Sequence, residues 1–307
     1  VAAASILEAS AAKPGNVHPA AEFPDLTHME LVAAGLAIAP AMERAAEMPL
    51  GQTVLAAVRA ARSVTRSNAN LGIVLAIAPL AAVPDAPAAP APAAPATAAP
   101  ATAAPATAAP AAVAAVLARL TPADAADVWQ AIRLSQPGGL GESPQHDLAG
   151  PAPADLLAAM RLAAPRDAIA RLWTDGYQSL HAGLVADLLA AIDHGLPLHD
   201  AIVDAFLAQL AREPDSLIAR KHGLPVALEV SGHAAAARAA PQTIPAFDRF
   251  LRSPRRLNPG TTADLTAAAL YILIRDGRLL SDAMAPWSSS PLGGLPPTND
   301  CENRFSP

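Results

Sequence analysis

Asn258-Pro259-Gly260-Thr261-Thr262-Ala263-Asp264, running straight into Leu265-Thr266-Ala267-Ala268-Ala269-Leu270-Tyr271-Ile272-Leu273-Ile274, decides the fold. The second run is apolar on every side, the mark of a helix buried all round at the centre of a helical domain. Pro259 and Gly260 shape its entry, Thr261 is a candidate cap, and Asp264 three residues on completes something close to a capping box. A helix that starts inside a core presents free N–H groups and a partial positive charge, which suit a phosphate. The backbone at Gly260, Thr261 and Thr262 is therefore a candidate anion site. Arg252, Arg255 and Arg256 lie just upstream as candidate cationic partners. The plainer reading is a capped core helix preceded by solvated arginines.

Working outward, the other segments also read as helices. Ser5 to Ala12 is short and stops before Pro14-Gly15, and Lys13, one of only two lysines in the chain, stands beside that turn as a candidate phosphate contact. Thr27 and Glu30 make a capping box for a helix to about Met48, bent at Pro40. Gln52 to Arg66 is amphipathic. It ends in Ser67-Asn68-Ala69-Asn70-Leu71-Gly72, whose asparagines are either ordinary caps or ligands for a ribose or base. Leu71 to Val83 is apolar but too short, with a proline inside, for the roughly 20 residues that a membrane span needs, so it reads as a second buried helix.

From Pro84 to Ala112 the chain is Pro-Ala and Pro-Ala-Thr-Ala-Ala repeat, which regular prolines keep out of a helix. This divides the protein into residues 1–83, an insert at 84–112, the rest of one helical domain at 113–284 and a Ser/Pro/Gly-rich tail at 285–307. Thr121-Pro122-Ala123-Asp124 starts a helix to about Ser135. His146-Asp147 follows in a loop, as an acid/base pair, a metal pair or a polar turn. Arg166 to His194 reads as the longest helix, closed by Gly195. In it Asp167, Arg171 and Asp175 are spaced i, i+4, i+8, which fits a charge ladder, or two carboxylates holding Mg²⁺ against a polyphosphate. Asp215 caps a short segment carrying Arg220 and Lys221, and Pro225 to Ala240 and Phe247 to Arg252 read as further helices.

Composition narrows the function. Net charge is -6 and the sequence pI about 5.7, which argues against a nucleic-acid-coating surface. The single cysteine, Cys301, rules out a disulfide framework and fits a reducing cytoplasm. The first residues have no basic region, and Glu8 interrupts their apolar stretch, so no signal peptide is expected.

Taken in order, Glu8 with Lys13-Pro14-Gly15-Asn16-Val17, Ser67 to Gly72, His146-Asp147, Arg166-Asp167 with Gly176, Asp215 to Lys221, and Asn258 to Leu265 resemble the ATP:dephospho-CoA triphosphoribosyl transferase family over about residues 5 to 284, outside the insert. The resemblance implies an all-α enzyme of one large multi-helix domain. It would use ATP and Mg²⁺, attach the triphosphorylated ribose of ATP to the 2′-hydroxyl of dephospho-CoA, and release adenine. Its product would be a prosthetic-group precursor. Cleavage at C1′ of a ribose passes through an oxocarbenium-like centre that carboxylates stabilise. Expected roles are Asp147 or Asp215 as base, His146 as acid, and Asp167 and Asp264 on Mg²⁺. Lys13, Arg220, Lys221 and the backbone of Gly260 to Thr262 would hold the triphosphate, with Asn16, Asn68, Asn70 and Asn258 on the ribose or base. Where well-understood members carry His then Lys or Arg before the glycine of the second motif, this chain has Asn70 and Leu71. That resembles a divergent branch in organisms with pterin-linked one-carbon metabolism, and implies a different acceptor. A nucleotide-binding helical protein without catalysis is the third reading.

Overall fold

The computed structural model describes residues 1–65, 70–84, 109–135 and 150–279. Helices follow in the order α1 (Ala2–Ser10), α2 (His28–Glu43), α3 (Leu50–Val64), α4 (Leu71–Ala81), α5 (Pro110–Leu117), α6 (Pro122–Ser135), α7 (Leu156–Ala163) and α8 (Ala168–Asp175). A one-turn α9 (Gln178–Leu180) passes through a π-helical turn, His181–Val185, into α10 (Ala186–Asp193). Then come α11 (Leu198–Arg212), α12 (Ser216–His222), α13 (Leu224–Ala239), α14 (Ile244–Arg252) and α15 (Gly260–Arg275). Among the described residues there is no strand, only the isolated bridges His18–Ala21 and Phe23–Leu26. The fold is all-α, as expected. No described helix is long and apolar enough to cross a membrane.

The two all-apolar runs, α4 and α15, pack against each other in the middle. Every residue of α4 except Gly72 is buried, as is nearly all of α15 from Thr261 to Leu273. One apolar cluster surrounds α4 and the body of α15, while a smaller one, with Phe206, Ile218, Phe247, Leu251 and Leu257, meets α15 at Ala263. The start of α15 thus sits on the seam between them.

A helix buried on all sides has to find partners for its backbone inside the protein. Pro79 has no N–H to give the carbonyl of Leu75 one turn back. Trp173 fills the gap, its Nε1 donating to Leu75 O at 2.9 Å, and the Tyr177 hydroxyl donates to Ala76 O at 2.8 Å. At the other end of α4 the Arg275 guanidinium donates to the carbonyls of Leu80 and Val83. A similar device joins α3 to α6. Asp124 Oδ2 accepts from Thr121 N and Oγ1 at its own helix start, and its Oδ1 accepts from Gly51 N at 2.8 Å.

Several boundaries differ from those the sequence suggests. The helix capped by Thr27 stops at Glu43 rather than Met48, three residues past Pro40. The pattern from Arg166 to His194 is not one helix. Gly176 and then Tyr177 adopt left-handed φ of 63° and 68°, and Asp175 Oδ1 accepts from Tyr177 N at 2.8 Å to hold the break. The break falls after Asp175, so Asp167, Arg171 and Asp175 share α8 and its cap, but the charge ladder is not made: Arg171 pairs with Glu213 and Asp167 with Arg220, and Asp175 accepts from Tyr177 N and Ser179 N. Helix α5 begins at Pro110, just inside the segment read as insert.

Candidate functional site

Three helix starts converge beside α15 and are stitched together by side chains from the Asp215 segment. Asp215 Oδ1 caps α12, accepting from Leu217 N at 2.9 Å and Ile218 N at 3.0 Å. Its Oδ2 reaches across to α15 and accepts from Thr262 N and Thr262 Oγ1, both at 2.8 Å. Next to it, Ser216 Oγ accepts from Ala168 N at 2.9 Å, at the first residue of α8. Gly260 makes the close approach possible, since a Cβ there would lie 2.7 Å from a Leu217 methyl.

This corrects the expected capping box. Helix α15 is capped in trans by Asp215; Thr261 is a buried helical residue, and Asp264 caps nothing. It also reassigns Asp215. Four donors occupy its two oxygens, and the carboxylate is buried, so it has no lone pair to spare as a general base. Burial pushes Asp215 up from its ordinary range, against the pull of those hydrogen bonds. Two of the three N–H groups expected to hold the triphosphate at the start of α15 are spent inside the protein: Gly260 N donates to Asn258 O and Thr262 N to Asp215.

Asp264, two residues past the Thr262 that Asp215 caps, has the opposite character. Among the described residues no donor or cation pairs with it. Its Oδ2 sits against Gly72 in the first turn of α4, where a Cβ would lie only 1.8 Å away. The residue is partly covered, its carboxyl packed against the first turn of α4. Burial, followed by the nearby negative charges of Glu8, Asp215 and Asp167, holds it well above the usual carboxylate range, with Arg220 opposing. A carboxyl without a partner among the described residues and with a raised pKa, beside a convergence of helix starts, is a candidate functional group.

Around it lie the remaining motifs. Asp167 Oδ1 caps α8, accepting from Ala170 N at 3.1 Å, and its Oδ2 faces Arg220 Nη1 at 3.3 Å. Arg220 is only partly covered, and its Nε has no partner. Asn16 Nδ2 donates to Asn258 Oδ1 at 2.7 Å and lies 3.5 Å from Pro259 O, at the entry to α15. Asn70 caps α4 with a left-handed φ of 73° but spends no side-chain hydrogen bond on that helix.

Other expected contacts fall elsewhere. Lys13 is 0% exposed and pairs with Glu8 Oε1 at 2.9 Å, while also donating to the carbonyls of Glu8 and Ala11. Spent in this way, it is a structural cation under the site rather than a phosphate contact. Lys221 is exposed on α12. Arg252 pairs with Asp248 at 2.8 Å, Arg255 with Glu229 at 3.2 Å, and Arg256 faces Asp25 at 3.8 Å, so these three are not gathered at the start of α15. Asn68, His146 and Asp147 lie outside the described residues. Sequence reasoning missed Glu8 as the partner of Lys13. The i, i+5 spacing across the end of α1 was the available signal.

The sequence model of the ATP:dephospho-CoA triphosphoribosyl transferase family matches residues 1–282. The chain belongs to this family. It is a triphosphoribosyl-dephospho-CoA synthase-type transferase. The structure is similar to the crystal structure of a candidate triphosphoribosyl-dephospho-CoA synthase from Archaeoglobus fulgidus, at 25% identity and a TM-score of 0.60, over 80% of this chain and 99% of that one. The Pro/Ala segment and the tail are together large enough to account for most of the unmatched fifth. None of the curated protein sequences matches. Five of the six motif groups set out from the sequence lie wholly or partly in the described residues; one is the start of α15 itself, and the other four touch it or lie on helices packed against it.

Proposed function

We propose that the triphosphoribosyl group is transferred beside Asp264, at the start of α15, and that Asp264 is the carboxylate facing C1′ of the ribose. The observation that carries this reading is the unpaired, strongly shifted carboxyl at a convergence of helix starts. In the reaction the C1′–N9 bond of ATP breaks with its electron pair leaving on adenine. A bond forms between C1′ and the acceptor's 2′-oxygen, the hydroxyl proton passes to Asp264, and adenine takes up a proton at its freed nitrogen. Asp264, ionised, opposes the positive charge that builds at C1′ and then takes that proton. A base whose pKa is raised suits the second task.

Arg220 is the proposed triphosphate cation. Its unspent Nε and its single long contact to Asp167 leave it donors for a phosphate oxygen, in the planar geometry that guanidinium offers. The partial positive charge of the adjoining helix starts adds to the attraction. Mg²⁺ is proposed as well. Among the described residues no group of three or more His, Cys, Asp or Glu is set to hold a metal. This fits an ion carried chiefly by the triphosphate, as Mg²⁺ usually is, with one protein carboxylate. Asp167 Oδ2, held only by Arg220, is that oxygen, and the ion would neutralise phosphate charge. Use of ATP puts the reaction in the cytoplasm.

One observation favours a second acceptor. Asn70 and Leu71 are both buried where better-understood members carry His and a cation, so the start of α4 offers no positive side chain. Transfer of the same group to another hydroxyl, as in pterin-linked one-carbon cofactor metabolism, is the alternative. Incubation with ATP, Mg²⁺ and dephospho-CoA, following adenine release and the mass of the acceptor, tests the reading. One adenine per acceptor gaining a triphosphoribosyl group is expected. Adenine release only with another acceptor would favour the alternative, and ATP binding with no release under any condition would leave a binding protein.

A further inference from the structure

Two carboxamides at this site each keep one buried, unpartnered atom. Asn16 is 4% exposed and its Oδ1 accepts nothing; Asn70 is 6% exposed and its Nδ2 donates to nothing. Leaving either unmet costs about as much as a lost hydrogen bond, so such atoms mark a place where a ligand completes the structure. The sense of the Asn16 amide follows from the carbonyl of Pro259, which can only accept and lies 3.5 Å from its nitrogen; Asn258, a carboxamide itself, then turns its Oδ1 to the same nitrogen at 2.7 Å. Asn70 is held by its backbone, its carbonyl accepting from Val74 N at 2.8 Å in a left-handed conformation that few side chains adopt and asparagine tolerates.

The two residues flank the first turns of α15. Asn16 is tied to Asn258 and Pro259, and Asn70 is two residues from Gly72, which abuts Asp264. Pro259 to Asp264 is five residues, about 7 Å at a helix's rise of roughly 1.5 Å per residue. What is offered across that span is one neutral acceptor and one neutral donor. A phosphate, which only accepts, satisfies Asn70 but leaves Asn16 unmet. The amidine edge of adenine, an exocyclic amine beside a ring nitrogen, satisfies both, in the pairing by which carboxamides read adenine elsewhere.

We propose that Asn16 and Asn70 form the subsite for the purine of ATP, Asn16 Oδ1 accepting from the 6-amino group and Asn70 Nδ2 donating to the ring nitrogen next to it. This rests on the transfer reading above. It makes the pair determinants of nucleotide specificity, since inosine and guanosine triphosphates turn a carbonyl oxygen toward Asn16 Oδ1. It also gives Asn70 a part in the chemistry, because a donor on the purine ring is strengthened as the departing base gains negative charge.

Dissociation constants measured by calorimetry on the full chain, without acceptor, test this. The ligands are ATP, 7-deaza-ATP, 1-deaza-ATP, ITP and the 2′- and 3′-deoxy-ATPs, each with the wild type, Asn70→Gly and Asn16→Ala. Glycine keeps the left-handed backbone while removing the amide. One deaza analogue should bind the wild type about ten-fold more weakly than ATP, the loss of one buried hydrogen bond, and bind Asn70→Gly no more weakly than ATP does. ITP, which turns a carbonyl oxygen toward Asn16 and on that edge an N–H toward Asn70, should show at least the same ten-fold deficit on the wild type and a smaller one on Asn16→Ala. Equal binding of ATP, ITP and both deaza analogues by the wild type overturns the subsite, as does a deficit that the variants leave undiminished. A ribose-deoxy deficit that Asn70→Gly removes reassigns the pair to the sugar and overturns it too. Because the ligand series reads the wild type alone, a variant that fails to fold does not shelter the proposal. Failure of the wild type to bind ATP at all would instead bring down the transfer reading.

Discussion

Replacing Asp264 by asparagine separates catalysis from stability in a way that few substitutions in this chain would. The change is nearly isosteric and removes no hydrogen bond or ion pair, because among the described residues Asp264 has none. What it removes is a negative charge that burial and the charges of Glu8, Asp215 and Asp167 disfavour. An aspartate whose folded pKa lies above its unfolded value of about 3.9 binds its proton more tightly when folded. Its ionisation therefore costs stability progressively as pH rises from that unfolded value through the raised folded one, and the full cost is present above it. Asp264→Asn escapes that cost, so the variant should melt higher than the wild type at pH 8 and close to it at pH 4. Loss of a general base costs about 10²- to 10⁴-fold in rate, roughly 3 to 5 kcal/mol of transition-state stabilisation. The assays are the initial rate of adenine release and thermal melts across pH. In the wild type, release should fall as pH drops through the raised pKa. A variant that turns over within about three-fold of wild type would refute the role given to Asp264; one that melts lower at pH 8 would refute its description as an unpaired charge.

Asp215→Ala should strip acceptors from two helix starts at once and cost several kcal/mol, at about 1–3 for each buried donor left unmet, so loss of the folded protein in chemical denaturation is the expected outcome. Lys13→Met leaves Glu8 buried and uncompensated; a loss of about 3–5 kcal/mol in urea unfolding is expected, with the KM for ATP unchanged in the protein that remains folded. Gly51→Ala drives a methyl to 2.5 Å from Asp124 Cα, and a destabilisation of about 1–3 kcal/mol, visible in the melting temperature, should follow because backbone does not yield as a side chain does. Arg220→Met should raise the KM for ATP at least ten-fold, the value of one charge-assisted contact, without a matching fall in kcat.

Much of the fold is legible in the sequence because apolar runs as unbroken as Leu71 to Leu80 and Leu265 to Leu273 have nowhere to go but a core. The breaks are harder to read. Nothing in Asp175-Gly176-Tyr177 by itself outweighs the helical pattern on either side; the turn is held by an aspartate cap and by the Tyr177 hydroxyl bonded 101 residues away to Ala76 O. The same limit applies to the site. Lys13, Asn16, Asp167, Asp215, Arg220 and Asp264 all stand out by residue type and neighbours, yet their duties do not. On paper Asp215 is a candidate base and Asp264 a metal ligand or cap. Only tertiary packing reveals that the first is filled by donors from two helices and the second by none among the described residues. Likewise a lysine beside a turn looks free until the carboxylate of Glu8 is found against it.

The most direct test is a crystal structure of the protein with Mg²⁺ and a non-hydrolysable ATP analogue. The triphosphate should lie within hydrogen-bond distance of Arg220, with C1′ of the ribose turned toward the Asp264 carboxylate and the purine between Asn16 and Asn70. A nucleotide bound on any other face of the helical domain, away from Asp264 and Gly72, would contradict the account.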